Sequence, residues 1–121
     1  MKQIFLVEDD MDIRELMEFL LADQGYEVEA FATAEAFTNR IENCHPDLIL
    51  LDVMLPDGNG VEICYKLKSE PETSSIPVII MSAHIDSTIL KQSCGDDFLA
   101  KPFDISDFSG KVSRQLETAS E

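Results

Sequence analysis

Glu8, Asp9, Asp52, Ser82 and Lys101 are the residues whose types suit chemistry, and each follows closely on a short apolar run. Brought to one place, the three carboxylates repel one another. At about 5 Å and an effective dielectric of about 20, each pair costs roughly 3 kcal/mol. A cation must offset that repulsion. With no histidine or paired cysteine in the group, the available ligands are oxygens, which favours a hard ion such as Mg²⁺ that tolerates few carboxylates and keeps several waters. Lys101 supplies a second positive charge to grip an oxyanion, and the Ser82 hydroxyl can donate a hydrogen bond to the same group. Carboxylate, metal, ammonium and hydroxyl together describe a site that receives a phosphoryl group.

That chemistry requires the five residues to share one edge of one sheet. Leu48 to Leu51 is too short for a globular helix and is bounded by Pro46 and the Pro56-Asp57-Gly58 turn signal. It predicts a strand buried on both faces, as in the middle of a parallel sheet. Asp52 then falls at the strand's C-terminal end, where ligands bind in open α/β sheets. Alone, Asp52 reads rather as a cap on the following turn; the residues at the other strand ends decide otherwise.

Gln3–Val7 predicts the first strand. Ile13, Leu16, Met17, Leu20 and Leu21 recur at helical spacing, with Asp10 or Asp12 to cap the start and Gly25 at a left-handed end. Glu27–Phe31 alternates as an edge strand does. Thr33 caps a second helix through Ala34, Phe37 and Ile41. Gly60–Lys68 predicts a third helix, residues 69–75 a loop, Pro77–Met81 a fourth strand and Ser87–Ser93 a short helix. Phe98–Ala100 is the last strand. Ile105, Phe108, Val112 and Leu116 mark a final helix with Gly110 inside it.

Five strands alternating with five helices predict an α/β fold: a five-stranded parallel sheet with helices on both faces, doubly wound and flavodoxin-like. The order 2-1-3-4-5 suits the weak second strand at an edge and makes strands 1 and 3 neighbours at the switch point.

The 121 residues predict a single domain, 1–121, with a disordered tail over about 118–121. Asp and Glu number 24 against 9 Lys and Arg, a net charge of -15, so the expected partners exclude nucleic acid and anionic lipid. The short apolar runs and the N-terminus predict neither a membrane span nor a signal peptide, hence a cytoplasmic protein. Cys44, Cys64 and Cys94 form no CxxC pair and read as free, mostly buried thiols.

The stretches FLVEDDMDIREL, PDLILLDVMLPDGNG, IPVIIMSA and GDDFLAKPF, in this order and spacing, resemble a response-regulator receiver domain of two-component signalling. The resemblance runs from Ile4 to about Leu116. It implies that Asp52 is the phosphoacceptor and that Glu8 and Asp9 are the acidic pair holding Mg²⁺, with the Met54 backbone carbonyl as a further ligand. By the same resemblance Ser82 is the switch hydroxyl, Lys101 the phosphate-binding lysine and Phe98 the switch aromatic, and the Lys101–Pro102 bond is cis. It implies a phosphodonor that is a histidine kinase or histidine phosphotransfer protein. The readout would pass through a downstream protein partner or an output domain, without the chain being an enzyme in the turnover sense. Plainer readings exist for each piece: Glu8-Asp9-Asp10 as a solvated helix start, Ser82 as a strand end, Lys101 as a surface lysine and Phe98 as core. Their joint occurrence favours the functional one.

The chain departs from the family pattern in places. Lys101 follows Ser82 by 19 positions, where the resemblance implies about three more, close to one helical turn. Phenylalanine stands at position 98 in place of tyrosine. Met54 and His84 occupy the positions that tune the lifetime of the acyl phosphate in the family, and apolar Met54 is expected to hinder an attacking water.

Three rivals remain. A flavodoxin-type electron carrier needs a phosphate loop that Glu8-Asp9-Asp10 would repel. An aspartyl-phosphate hydrolase needs a second acid where Met54 stands. A degenerate receiver that acts only as a constitutive binding module is opposed by the complete set of five residues.

Overall fold

Apolar runs and amphipathic segments alternate along the chain as strands and helices. The computed structural model describes residues 1–83 and 95–119. Its elements are β1 (Gln3–Val7), α1 (Met11–Asp23), β2 (Glu27–Phe31), α2 (Ala34–Ile41), β3 (Leu48–Asp52), β4 (Met54–Leu55), β5 (Gly58–Asn59), α3 (Gly60–Ser69), β6 (Val78–Ser82), β7 (Asp97–Ala100) and α4 (Ile105–Ala119).

Five strands form one parallel sheet in the order β2-β1-β3-β6-β7, the expected 2-1-3-4-5 with β6 and β7 as fourth and fifth strands. β3 and β6 are buried at every residue, because helices cover both faces there, while β2 at the edge keeps most of its residues partly exposed. Period-two alternation divides the strand residues between two apolar layers. Phe5, Val7, Ile49, Leu51, Val78 and Ile80 face α2 and α3. Ile4, Leu6, Leu48, Leu50, Ile79 and Met81 face α1 and α4. Each such side chain contributes about 1.5–3 kcal/mol by leaving water. In the first layer Phe5, Phe31 and Phe37 meet edge to face at 5.2, 6.4 and 5.9 Å, which orients α2 on the sheet.

The helix ends follow the expected chemistry. Of the two acids offered as a cap for α1, Asp10 accepts from the Ile13 amide at 3.0 Å. Gly25 follows with φ +92°, the left-handed region glycine suits. Thr33 accepts from the Ala36 amide at 3.1 Å and starts α2. Gly110 stands in open space on α4, so it costs that helix propensity, about 1 kcal/mol, without disturbing packing.

Three features differ from expectation. The loop after β3 contains a small antiparallel hairpin, Met54 opposite Asn59 and Leu55 opposite Gly58. α4 runs through Ala119, so the first half of the expected tail is helical; residues 120 and 121 lie outside the described residues. Cys44 is free, but Cys64, buried on α3, is disulfide-bonded, which corrects the expectation of a free thiol there; spacing along the chain does not decide which thiols meet in a fold. The expected Ser87–Ser93 helix, Cys94 and His84 also lie outside the described residues. No described helix is long and apolar enough to cross a membrane.

Candidate functional site

Parallel register decides what meets at the C-terminal edge of the sheet. Val7 pairs with Leu51, Asp52 with Met81 and Ser82 with Ala100. Glu8, Asp52, Ser82 and Lys101 therefore leave adjacent strands at one level. They line a cleft of about 290 Å³ together with Asp9, Asp10, Ile13, Met54 and Ala83.

Glu8 is fully buried, Asp52 is 5% exposed and Ser82 is 3% exposed, while Asp9 faces solvent. One carboxylate oxygen each of Glu8, Asp9 and Asp52 lies within 4.8 Å of the others. The Lys101 ammonium stands between two of them, donating to Glu8 Oε1 and, at 2.9 Å, to Asp52 Oδ2. Its own backbone amide donates to the Ser82 carbonyl at 2.9 Å, and the Lys101–Pro102 bond is cis. The Met54 amide donates to Asp52 Oδ1 at 3.2 Å and the Asp10 amide to Glu8 Oε2 at 3.1 Å. Phe98 does not line the cleft. It is half-buried on β7, opposite Ile80, and packs against the α2 and α3 layer.

Burial pushes the Glu8 carboxyl up to about 7, and nearby Asp52 adds to the rise; Lys101 and the Asp10 amide oppose it. For Lys101, burial is the largest single influence and favours the neutral amine. Its bonds to Glu8 and Asp52 together outweigh that, so the ammonium ends above the ordinary lysine range and stays charged at neutral pH. Three acids are thus gathered around one cation. An all-oxygen cluster with excess negative charge fits a hard divalent cation such as Mg²⁺, and Glu8, Asp9 and Asp52 are the side chains that would hold it.

Sequence reasoning missed three residues. The Arg14 guanidinium donates to the backbone carbonyls of Glu8, at 2.9 Å, and Asp9, at 3.3 Å, pinning the turn that carries both acids. Gly60 lies so close to Asp52 that a Cβ there would stand 2.1 Å from the Asp52 carbonyl oxygen. Asp57 leaves its own loop to bind the start of α2. A glycine directly after a capping Asn59 was the available signal for Gly60; the other two carried none.

The family model of the response regulator receiver domain matches residues 4–113. The chain belongs to that family. The receiver domain is 30% identical over 120 residues to the phosphate regulon transcriptional regulatory protein PhoB of Rhizobium meliloti, covering 97% of this chain and 53% of the relative. The chain thus spans about half of that relative's length. Among solved structures it resembles a CheY-like response regulator receiver domain protein from Methanospirillum hungatei, with TM-score 0.89 and 28% identity over 99% of this chain and 97% of that one. It also resembles the receiver domain of the sensor histidine kinase PA1611 from Pseudomonas aeruginosa, with TM-score 0.88 and 25% identity over 96% and 98% of the two chains. That neighbour carries a magnesium ion coordinated in its active-site cleft. The parallel sheet of this receiver domain is the CheY-like, flavodoxin-like arrangement.

Proposed function

We propose that this receiver domain accepts a phosphoryl group on Asp52 from the phosphohistidine of a histidine kinase or phosphotransfer protein, with Mg²⁺ at Glu8, Asp9, Asp52 and the Met54 carbonyl. The observation that carries this reading is the Lys101 ammonium held between Glu8 and Asp52 in a cleft that Ser82 also lines.

In the transfer, an Asp52 carboxylate oxygen attacks phosphorus in line with the departing histidine nitrogen; the P–N bond breaks as the O–P bond forms. Mg²⁺ supplies neutralisation of the phosphoryl oxygens. Lys101 is already on Asp52 Oδ2, so it can move to a phosphoryl oxygen without crossing the site. The Ser82 hydroxyl, one strand over, donates to another. The Met54 amide steadies the carboxylate during attack. Afterwards Ser82 and Lys101 follow the phosphoryl group, and Phe98 repacks with them: a local change in charge biases a two-state element.

The domain accelerates only its own phosphorylation and dephosphorylation. Its net charge of -15 directs it toward protein partners in the cytoplasm rather than nucleic acid or a membrane. The relative PhoB is named a transcriptional regulator; in any longer chain, DNA contact would fall to a separate output domain. We read residues 1–121 as one receiver domain.

Incubation with a kinase or phosphotransfer domain bearing labelled phosphohistidine tests this. Label is expected to move to the receiver only with Mg²⁺, to be lost in alkali as an acyl phosphate is, and to be absent from Asp52→Ala. Transfer that survives in Asp52→Ala would place the acceptor elsewhere.

A further inference from the structure

Asp57 sits at the tip of the β4–β5 hairpin, five residues beyond the acceptor. Its carboxylate reaches a different element: Oδ1 accepts from the Ala34 amide at 2.8 Å and Oδ2 from the Glu35 amide at 3.0 Å. Those are the first two amides of α2, and Thr33 takes the third, Ala36. A helix start leaves such donors unpaired, and a carboxylate is favoured there by the helix dipole. The contact is close as well as charged, since a Cβ on Gly58 would stand 3.2 Å from the Ala34 Cβ. The binding of these two amides holds the Asp57 carboxyl below the ordinary aspartate range, so the link is ionised at neutral pH.

The hairpin's other end reaches the acceptor. Met54 pairs with Asn59, and its amide donates to Asp52 Oδ1 at 3.2 Å. The Gly60 amide closes the hairpin base on the Val53 carbonyl at 2.8 Å. A continuous set of contacts therefore runs from the start of α2 through Asp57 and the hairpin to the carboxylate of Asp52.

We propose that Asp57 is a positioning residue for the phosphoacceptor site: by binding the α2 start it holds the hairpin, and so holds the Met54 amide and carbonyl where Asp52 and the metal need them. This rests on the phosphoacceptor reading above. Without the tether the hairpin keeps its short ladder and the Gly60–Val53 bond at its base, and Met54 leaves Asp52 more often.

The test compares Asp57→Ala, Asp57→Asn and Thr33→Ala with the wild type. Thr33→Ala weakens the same helix start without touching the hairpin, and so separates helix stability from tethering. Hydrogen exchange of the Met54 amide, read by NMR without Mg²⁺, is expected to quicken about tenfold in Asp57→Ala and to stay near wild type in Thr33→Ala. Mg²⁺ affinity by titration calorimetry is expected to fall about tenfold in Asp57→Ala, with most of it restored in Asp57→Asn, which keeps an acceptor oxygen. Unchanged Met54 exchange in Asp57→Ala overturns the proposal; so does a Thr33→Ala variant that loses as much Mg²⁺ affinity. A wild type that takes no phosphoryl group on Asp52 defeats the phosphoacceptor reading instead, and leaves the exchange comparison intact.

Discussion

Glu8 is the residue where the cost of the site is concentrated: it is fully buried against Asp52, and its carboxyl rises from an ordinary 4.5 to about 7 chiefly because burial disfavours the charged form. The folded, metal-free domain thus holds that proton more tightly than the unfolded chain does. Its stabilising contribution is full below about pH 4.5 and is lost as the pH climbs to about 7. Mg²⁺ competes with the same proton, so its affinity is expected to rise between about pH 6 and about pH 8; a dissociation constant that calorimetry finds flat across this range would contradict the assignment of Glu8. The Met54 side chain is 68% exposed at the rim of the same cleft, where it can screen a bound phosphoryl group from water. Met54→Ala is expected to shorten the lifetime of phosphorylated protein several-fold, followed by loss of label over time, and an unchanged rate would remove Met54 from the account. That Glu8, Asp9, Asp52, Ser82 and Lys101 would line one cleft was legible because each ends or closely follows an apolar run. Arg14 and Asp57 were not, because their roles are contacts made across the chain: an arginine in an amphipathic helix and an aspartate in a Pro-Asp-Gly turn read as ordinary surface.

Among the elements, the turn after β3 is tightly constrained. Gly60 opens α3 directly against the backbone of Asp52, and a methyl group there would overlap the Asp52 carbonyl oxygen at 2.1 Å. Neither partner is a flexible side chain, so the backbone itself must shift. Gly60→Ala is expected to cost about 1–3 kcal/mol of unfolding free energy and to slow phosphorylation, measured by denaturant titration and labelled transfer. Gly110→Ala, in open space on α4, is expected to be neutral or to stabilise by up to about 1 kcal/mol. If both substitutions behave alike, the close approach of Gly60 has no consequence. Strand and helix types were readable from periodicity because β3 and β6 are continuous apolar runs and α1 repeats at helical spacing. The β4–β5 hairpin was not: its strands are two residues long, too short for any period.

At the scale of the molecule, the sheet order follows from two facts of sequence: a weak alternating β2 that belongs at an edge, and two all-apolar strands that belong inside. That order puts β1 beside β3, which is why acids from two distant stretches share one cleft. Phe98 illustrates the limit, since its place on β7 was readable while its packing against the α2 and α3 layer rather than in the cleft was not. The Cys64 disulfide was illegible because cysteine spacing does not decide pairing in the folded chain.

The central claim is that Asp52 takes one phosphoryl group in a Mg²⁺-dependent reaction, and intact-protein mass spectrometry after incubation with acetyl phosphate tests it most directly. The wild type is expected to gain the mass of a single phosphoryl group with Mg²⁺ and none with a chelator, and Asp52→Ala is expected to gain none in either condition. A wild type that stays at its starting mass, or an Asp52→Ala variant that gains the group, would contradict the account.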